Sequence, residues 1–262
     1  MIYGTAWKQD ATAGLVKQAA AAGFRAIDTA NQKKHYREDF VGEALQELKI
    51  RREDWFLQSK YTYPQGQDHR LPYDPKSSFT EQVQSSFASS LENLHTDYLD
   101  SYLLHGPSAY DGLTADDWEV WTAMEALQRS GQAKAIGVSN VGLRHLTALC
   151  GKAKIKPQYV QNRCFAAQGW DREVREYCLK NEIIYQGFSL LTANQHVLFH
   201  PRVAAIAQRA KATPMQVIFA FSVKIGILPL TGTTNPQHMK DDLEIGRVEL
   251  YDSEVQDIFA LP

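Results

Sequence analysis

The sequence predicts an α/β fold, a single (β/α)8 TIM barrel, on the basis of three observations. Short apolar strands alternate with amphipathic helices along the whole chain, and eight strands can be counted, each followed by a helix. No Pro-, Gly- or Ser-rich linker, long charge block or low-complexity segment divides this alternation. The length of 262 residues suits a barrel of about 250 residues in one domain. We therefore expect one domain over residues 1–262.

The individual elements follow from hydrophobic periodicity and from the residues that begin and end helices. The predicted strands lie within the segments 1–5, 24–28, 55–60, 98–104, 133–136, 157–164, 183–188 and 227–230. The predicted helices span residues 11–22, 38–48, 79–94, 115–130, 143–150, 172–181, 202–211 and 215–224, and two shorter helices begin near residues 236 and 252. Gly23 ends the first, Ala-rich helix, and Thr213-Pro214 begins the last long one.

Composition and charge exclude several classes of protein. The formal net charge is −2, and Lys and Arg are spread along the chain, which argues against a nucleic-acid binder. The longest apolar stretch, residues 215–230, is too short and too polar to span a bilayer. The chain enters a strand at once, without a charged and apolar leader, so we expect a cytoplasmic protein. We also expect a monomer, because no apolar repeat or strand edge indicates a partner.

The sequence gives no sign of a metal site or of a Rossmann domain. Cys150, Cys164 and Cys178 are widely spaced, and no His-Glu-x-x-His motif is present, so we expect no bound metal. The cysteines are expected to be free thiols in a reducing compartment. No Gly-x-Gly-x-x-Gly motif follows an early strand.

Ionisable residues stand where consecutive strands end. Asp28 ends the second strand, Lys60 ends the third, and His105 follows the fourth, while Tyr36 lies in the loop after Asp28. A single lysine at a strand end is usually solvated, and a single histidine is usually a core residue. In a barrel, however, the carboxyl ends of the strands meet at one face, where catalytic side chains collect. The series therefore predicts an active site at that face.

Two segments carry a resemblance to a known family. Ile-Asp-Thr-Ala at residues 27–30, followed by a tyrosine and by Val-Gly-x-Ala-Leu, resembles the aldo-keto reductases, which place a paired Asp and Tyr here. In that family the Tyr usually comes five residues after the Asp, whereas this chain has Lys33 there and Tyr36 three residues later, which we interpret as a short insertion. The segment 98–107 resembles the family's strand that bears the catalytic His. The alternative is that Tyr36 is an ordinary loop aromatic and the acid is missing.

The resemblance implies reduction of a small-molecule aldehyde or ketone by hydride transfer from NADPH or NADH. Tyr36 would donate the proton, and Lys60, held by Asp28, would lower the pKa of the phenol. His105 would orient and polarise the carbonyl oxygen. The residues implied to bind the substrate are Trp7, Tyr36 and His105.

The resemblance also implies cofactor contacts at the strand ends. Ser139 and Asn140 would hold the nicotinamide carboxamide together with Asn162, the second of a Gln-Asn pair that is reversed relative to the family. Phe188 would stack on the nicotinamide ring. The loop 232–236 would bind phosphate, but it lacks the family's strong cation, which weakens the expected preference for NADPH. The complete implied set is Gly4, Thr5, Asp28, Ser139, Asn140, Asn162, Phe188, Ser189, Leu191, Gly232, Thr233, Thr234, His238 and Asp242.

Two other functions stay open at this point. The displaced Tyr36 and the reversed Gln161-Asn162 pair would also suit a nicotinamide-binding regulatory or redox-sensing barrel with little turnover. A metal-free lyase or isomerase could instead use Lys60 as a Schiff-base nucleophile. Trapping with borohydride would distinguish that reading, because a reductase forms no stable adduct with its substrate.

Overall fold

Eight strands form a closed, all-parallel barrel in the computed structural model, which describes residues 1–261. In chain order they are β1 Ile2–Gly4, β2 Ala26–Asp28, β3 Phe56–Tyr61, β4 Ser101–Leu104, β5 Ile136–Ser139, β6 Tyr159–Arg163, β7 Ile184–Phe188 and β8 Leu228–Thr231. Each strand pairs with the next, and β1 also pairs with β8, which closes the barrel. The predicted (β/α)8 barrel is confirmed, while Pro262 of the expected domain lies outside the described residues.

The helices pack around this barrel close to their predicted positions. They are α1 Thr12–Ala22, α2 Glu38–Leu48, α3 Phe79–Leu94, α4 Ala115–Arg129, α5 Leu143–Lys152, α6 Arg172–Lys180, α7 Gln195–Leu198, α8 Pro201–Ala210, α9 Pro214–Lys224, α10 Pro236–Leu243 and α11 Asp252–Phe259. All eight long helices begin and end within two residues of the predicted bounds, and only the short α7 was missed. Within residues 1–261, no helix is both long enough and apolar enough to cross a bilayer.

The fifth strand lies three residues further along the chain than predicted, at Ile136–Ser139. Gly137 permits this pairing, because a Cβ at this position would lie 2.4 Å from the carbonyl oxygen of Tyr159 on the neighbouring strand. The shift brings Ser139 to the carboxyl end of β5. The fourth strand also begins later than predicted, at Ser101.

Capping side chains fix where three long helices begin. Ser78, Thr114 and Thr213 each accept a hydrogen bond from the backbone N–H three residues later, and the side chain of that later residue bonds back to the cap. Replacing such a cap by alanine costs about 1 kcal/mol. The caps at Ser78 and Thr114 also anchor the loops that lead from the carboxyl ends of β3 and β4.

Polar side chains fill part of the barrel interior. Asp28, Gln58, Lys60, Gln161 and Gln186 are all at most 3% exposed and bond to one another. Side chains alternate between the two faces of a strand, so residues two apart, such as 58 and 60, point into the barrel together. This polar interior lies directly beneath the cavity described next.

Candidate active site

A cavity of about 900 Å³ opens at the carboxyl ends of the strands. Most of the residues singled out from the sequence line it. These are Gly4, Trp7, Asp28, Tyr36, His105, Ser139, Asn140, Phe188, Ser189, Leu191, Gly232, Thr233, His238 and Asp242. The strand-end series therefore does converge on one face of the barrel.

Four of the predicted residues do not line the cavity. Lys60 is completely buried and pairs with Asp28, which does line the cavity. Thr5 is also buried, and its hydroxyl donates to the backbone carbonyl of Asp28. Thr234 lies outside the cavity wall, as does Asn162.

Asn162 faces away from the cavity, so the predicted amide is one residue too far along β6. Its amide nitrogen donates to the Val141 carbonyl at 2.7 Å and to Asp171 Oδ2 at 2.8 Å, and its oxygen accepts from the Val141 N–H at 3.0 Å. The amide that lines the cavity is Gln161. The signal that would have found it is the two-residue period of the strand, which turns neighbouring side chains to opposite faces.

Asp28 is the hub of the buried polar cluster. Lys60 Nζ donates to both carboxylate oxygens at 2.7 Å and to the Thr29 carbonyl at 2.8 Å. Gln58 and Gln161 each donate to Asp28 Oδ1, at 2.7 and 2.9 Å. Both oxygens of this carboxylate therefore act as hydrogen-bond acceptors within the cluster.

The carboxylate also fixes the orientation of Gln161. The Gln161 nitrogen faces Asp28 and donates to Oδ1, so the amide oxygen points the other way. The same nitrogen donates to Gln186 Oε1 at 2.9 Å, and Gln186 in turn donates to Gln58 Oε1 at 3.0 Å. No donor within residues 1–261 bonds to Gln161 Oε1. Gln161 therefore presents its carbonyl oxygen to the cavity.

Tyr36 does not have the lowered pKa expected from the sequence. Burial raises the pKa of its phenol, and the Asp28 carboxylate raises it further. Lys60 donates all three of its N–H groups to Asp28 and Thr29, so none of them points at the phenol. Lys60 Nζ lies 5.3 Å from the centroid of the Tyr36 ring. At neutral pH the phenol stays protonated.

His105 is a neutral imidazole. Burial, followed by the charges of Lys60 and His35, lowers its pKa to about 3. Its ring meets the Tyr36 ring edge to face, with centroids 5.9 Å apart. Its backbone is held from both sides, since its N–H donates to the Tyr61 carbonyl and its own carbonyl accepts from Asn140 Nδ2.

Thr62, which the sequence analysis missed, determines which nitrogen of His105 carries the proton. Thr62 Oγ1 lies 2.7 Å from His105 Nδ1, and Thr62 is only 6% exposed. In the described part of the chain the hydroxyl proton has no other acceptor, and a buried donor without a partner is costly. The hydroxyl therefore donates to Nδ1, and Nε2 of His105 carries the imidazole hydrogen.

A cation does lie at the loop 232–236, contrary to the reading of that loop from the sequence. Lys8 Nζ donates to the carbonyl of Gly232, and both residues line the cavity. None of the ion pairs found over residues 1–261 involves Lys8. This contact has no signal in the sequence, because the two residues are 224 positions apart and meet only through closure of the barrel.

The phosphate site expected at the start of α10 is partly occupied by the chain itself. Asn235 Oδ1 accepts from the backbone N–H groups of Gln237 and His238, which are the amides a phosphate would otherwise use. Asp242 accepts a hydrogen bond from Thr231, and burial raises its pKa to about 6. The start of α10 therefore has fewer free backbone N–H groups for a phosphate than the sequence suggested.

Trp7 and His35 stand together in the wall of the cavity. Trp7 is 68% exposed and has a positive φ of 63°. The centroids of the Trp7 and His35 rings are 3.7 Å apart. The backbone N–H of Trp7 donates to the His35 carbonyl at 2.7 Å. His35 lies in the loop between Asp28 and Tyr36 and was not predicted to be functional.

Over residues 1–261 there is no group of three or more His, Cys, Asp or Glu side chains that could hold a metal ion. The chemistry available at the cavity is therefore that of a protonated phenol, a neutral imidazole, a buried ion pair and oriented amides. Such a set can hydrogen-bond a carbonyl oxygen and give it a proton.

Comparison with known proteins gives one consistent result. The model of the "Aldo/keto reductase family" matches residues 2–261. The chain is 31% identical to glyoxal reductase of Bacillus subtilis over 248 residues, which is 94% of this chain and 82% of that protein. It is 29% identical to the NADPH-dependent alpha-keto amide reductase of Saccharomyces cerevisiae, over 98% of this chain and 84% of that one. A crystal structure of an aldo/keto reductase from Brucella melitensis superimposes with a TM-score of 0.84 at 27% identity, and the match covers 100% of this chain and 94% of that one.

Proposed function

Because the chain belongs to the aldo/keto reductase family, we propose that it reduces an aldehyde or ketone to the alcohol by direct hydride transfer from NADPH, with Tyr36 as the general acid. The observation that carries this proposal is the meeting of Tyr36 and His105 in one cavity, beside the buried Asp28–Lys60 ion pair. These residues come from three strands and an intervening loop. Their convergence is a property of the folded barrel, and core packing alone does not require it.

The residues around the cavity fit a nicotinamide dinucleotide. Gln161 offers an unpartnered carbonyl oxygen, which suits the N–H of a carboxamide, and Phe188 offers an aromatic face. Lys8 offers an ammonium group with no carboxylate partner in the described chain, which suits a phosphate. When bound, NADPH supplies the hydride. We expect NADH to be accepted as well, because the loop 232–236 has few cations of its own.

The chain's own groups handle the proton. His105, protonated at Nε2, donates a hydrogen bond to the carbonyl oxygen and polarises the C=O bond. Tyr36 gives its phenolic proton to the same oxygen as negative charge develops there. Its raised pKa keeps the phenol protonated at neutral pH, so the acid is in place before each turnover. Asp28 and Lys60 form a positioning pair that supports the floor of the site without touching the substrate.

Two measurements on the wild-type protein test the proposed function. Fluorescence titration with NADPH and with NADH gives the affinity for each cofactor, and oxidation of the cofactor is then followed with an aromatic aldehyde. We expect binding and turnover with NADPH. Tight binding without turnover would favour the regulatory barrel instead, and neither binding nor turnover would contradict the proposal.

Replacing Thr62 by valine should lower kcat about tenfold, since the variant keeps the shape of the side chain but removes a hydrogen bond of roughly 1.4 kcal/mol. His105 would then no longer be held in the tautomer that donates from Nε2. The affinity for NADPH should not change, and Thr62→Ser should restore most of the activity because it restores the hydroxyl. If Thr62→Val and Thr62→Ser had the same kcat, the hydroxyl would have no part in setting the tautomer.

Replacing Lys8 by methionine should weaken NADPH binding about tenfold, the effect of losing one charge-assisted hydrogen bond. Fluorescence titration at two salt concentrations measures this, and the wild type should lose affinity with salt more steeply than the variant. Lys17→Met is the matched control, because Lys17 forms a surface pair with Glu47 and does not line the cavity. An unchanged dissociation constant in Lys8→Met would remove Lys8 from the binding site.

A further inference from the structure

The insertion between Asp28 and Tyr36 places a second imidazole, that of His35, in the wall of the cavity. Catalysis as described above does not use this group. It sits beside the exposed Trp7 and, like His105, is half-buried. Which atom it turns toward a ligand depends on its tautomer, and the surrounding hydrogen bonds fix that tautomer.

Gln32 determines the tautomer of His35. The side-chain nitrogen of Gln32 lies 2.6 Å from the carbonyl oxygen of Gly66 and must be the end that faces it, because a carbonyl only accepts. The other end of the amide, Oε1, therefore faces His35 Nδ1 at 2.9 Å. Since Oε1 also only accepts, Nδ1 carries the hydrogen. Nε2 of His35 is left with a free lone pair.

The imidazole is held rigidly in this state. The His35 backbone N–H donates to the Gln32 carbonyl at 3.0 Å, and its own carbonyl accepts from the Trp7 N–H. The Trp7 ring lies against one face, with the two rings tilted by 36°. Burial and the nearby charge of Lys34 lower the pKa of His35, so the lone pair is present at neutral pH. No hydrogen bond within residues 1–261 engages Nε2.

The two histidines of the cavity thus offer opposite chemistry. His105 presents a donor at Nε2, which suits a carbonyl oxygen, and His35 presents an acceptor at Nε2, which suits a hydroxyl group. Both imidazoles line the same cavity. One small molecule that carries both a carbonyl and a hydroxyl group can satisfy both.

We propose that His35 is a substrate-binding residue that accepts a hydrogen bond from a hydroxyl group, and that the protein prefers hydroxyaldehydes or hydroxyketones to the corresponding compounds without the hydroxyl. This inference rests on the proposed function, because it names the substrate class of the same cavity. It assigns a role to the inserted loop, whose extra residues bring His35 and Gln32 to the cavity.

The test compares kcat/KM for 2-hydroxypropanal and 3-hydroxypropanal with that for propanal, in the wild type and in His35→Phe. Phenylalanine keeps an aromatic ring against Trp7 but has no lone pair. Intrinsic reactivity differs among the aldehydes but is common to both proteins, so the change in the ratio isolates His35. We expect the variant to lose about three- to tenfold of the preference for at least one hydroxyaldehyde, as for one neutral hydrogen bond. His69→Phe is the matched control, since His69 is exposed in the next loop and does not line the cavity.

A second measurement does not depend on activity. In a spectrum of the ¹⁵N-labelled protein, the His35 resonances, assigned by their absence from His35→Phe, should show a protonated Nδ1 and an unprotonated Nε2. The opposite tautomer would overturn the inference, and so would turnover with the same substrate ratio in wild type and His35→Phe. If the wild type reduced none of the aldehydes, the proposed function would fail and the inference with it, which is a distinct result.

Discussion

Replacing Tyr36 by phenylalanine is expected to lower kcat for carbonyl reduction by about 100- to 10,000-fold, the contribution of a well-placed general acid. The substitution removes the proton donor and leaves the ring that meets His105 edge to face. The carbonyl oxygen would then have to take its proton from water. Affinity for NADPH and the free energy of unfolding should stay close to the wild-type values, because the phenol makes no hydrogen bond to the rest of the described chain.

Steady-state kinetics with an aromatic aldehyde and NADPH titration together check this expectation. Tyr110→Phe is the matched control, because Tyr110 is 94% exposed and lies outside this cavity. That variant should behave as the wild type. Undiminished turnover in Tyr36→Phe would mean that another group supplies the proton, and the alternative of Tyr36 as an ordinary loop aromatic would then hold.

Replacing Asp28 by asparagine is expected to lower the free energy of unfolding by roughly 3–5 kcal/mol, because it removes the carboxylate that pairs directly with the buried Lys60 ammonium. Lys60 is completely buried and bonds to both oxygens of Asp28. The loss should be accompanied by loss of turnover, since Asp28 also orients Gln58 and Gln161. Denaturant unfolding followed by fluorescence measures the free energy.

The double variant Asp28→Asn/Lys60→Met is the control for this prediction. It removes both charges of the buried ion pair, so it should be more stable than Asp28→Asn alone even though it carries one more substitution. If the two substitutions simply added their separate costs, or if Asp28→Asn alone cost less than about 0.5 kcal/mol, the ion pair would not be the coupled unit that the geometry indicates.

The barrel and the clustering of Asp28, Tyr36, Lys60 and His105 could be predicted from sequence, because the topology determines where the strand ends lie. Once strands alternate with helices, Asp28, Lys60 and His105 must meet at one face, since each ends or follows a neighbouring parallel strand. The helix bounds followed from local signals, such as the cap at Thr213 and the left-handed Gly23. None of this needed knowledge of contacts between distant residues.

What could not be predicted depends on how individual side chains use their hydrogen-bonding groups. Lys60 was expected to lower the pKa of Tyr36, but its three N–H groups are all taken by Asp28 and Thr29. Sequence alone also could not bring Lys8 to the loop at Gly232. The choice of Asn162 over Gln161 is of another kind, because strand alternation, applied residue by residue, would have corrected it.

The most direct test of the account follows the hydride itself. NADPH that carries deuterium at C4 of the nicotinamide ring is incubated with the wild-type protein and an aromatic aldehyde, and the alcohol is examined by mass spectrometry. Direct transfer predicts one deuterium on the former carbonyl carbon, delivered from one face of the ring only, and far less labelled alcohol with Tyr36→Phe. Alcohol without deuterium from either labelled face, or no alcohol at all, would contradict the assignment of this cavity as a carbonyl reductase site.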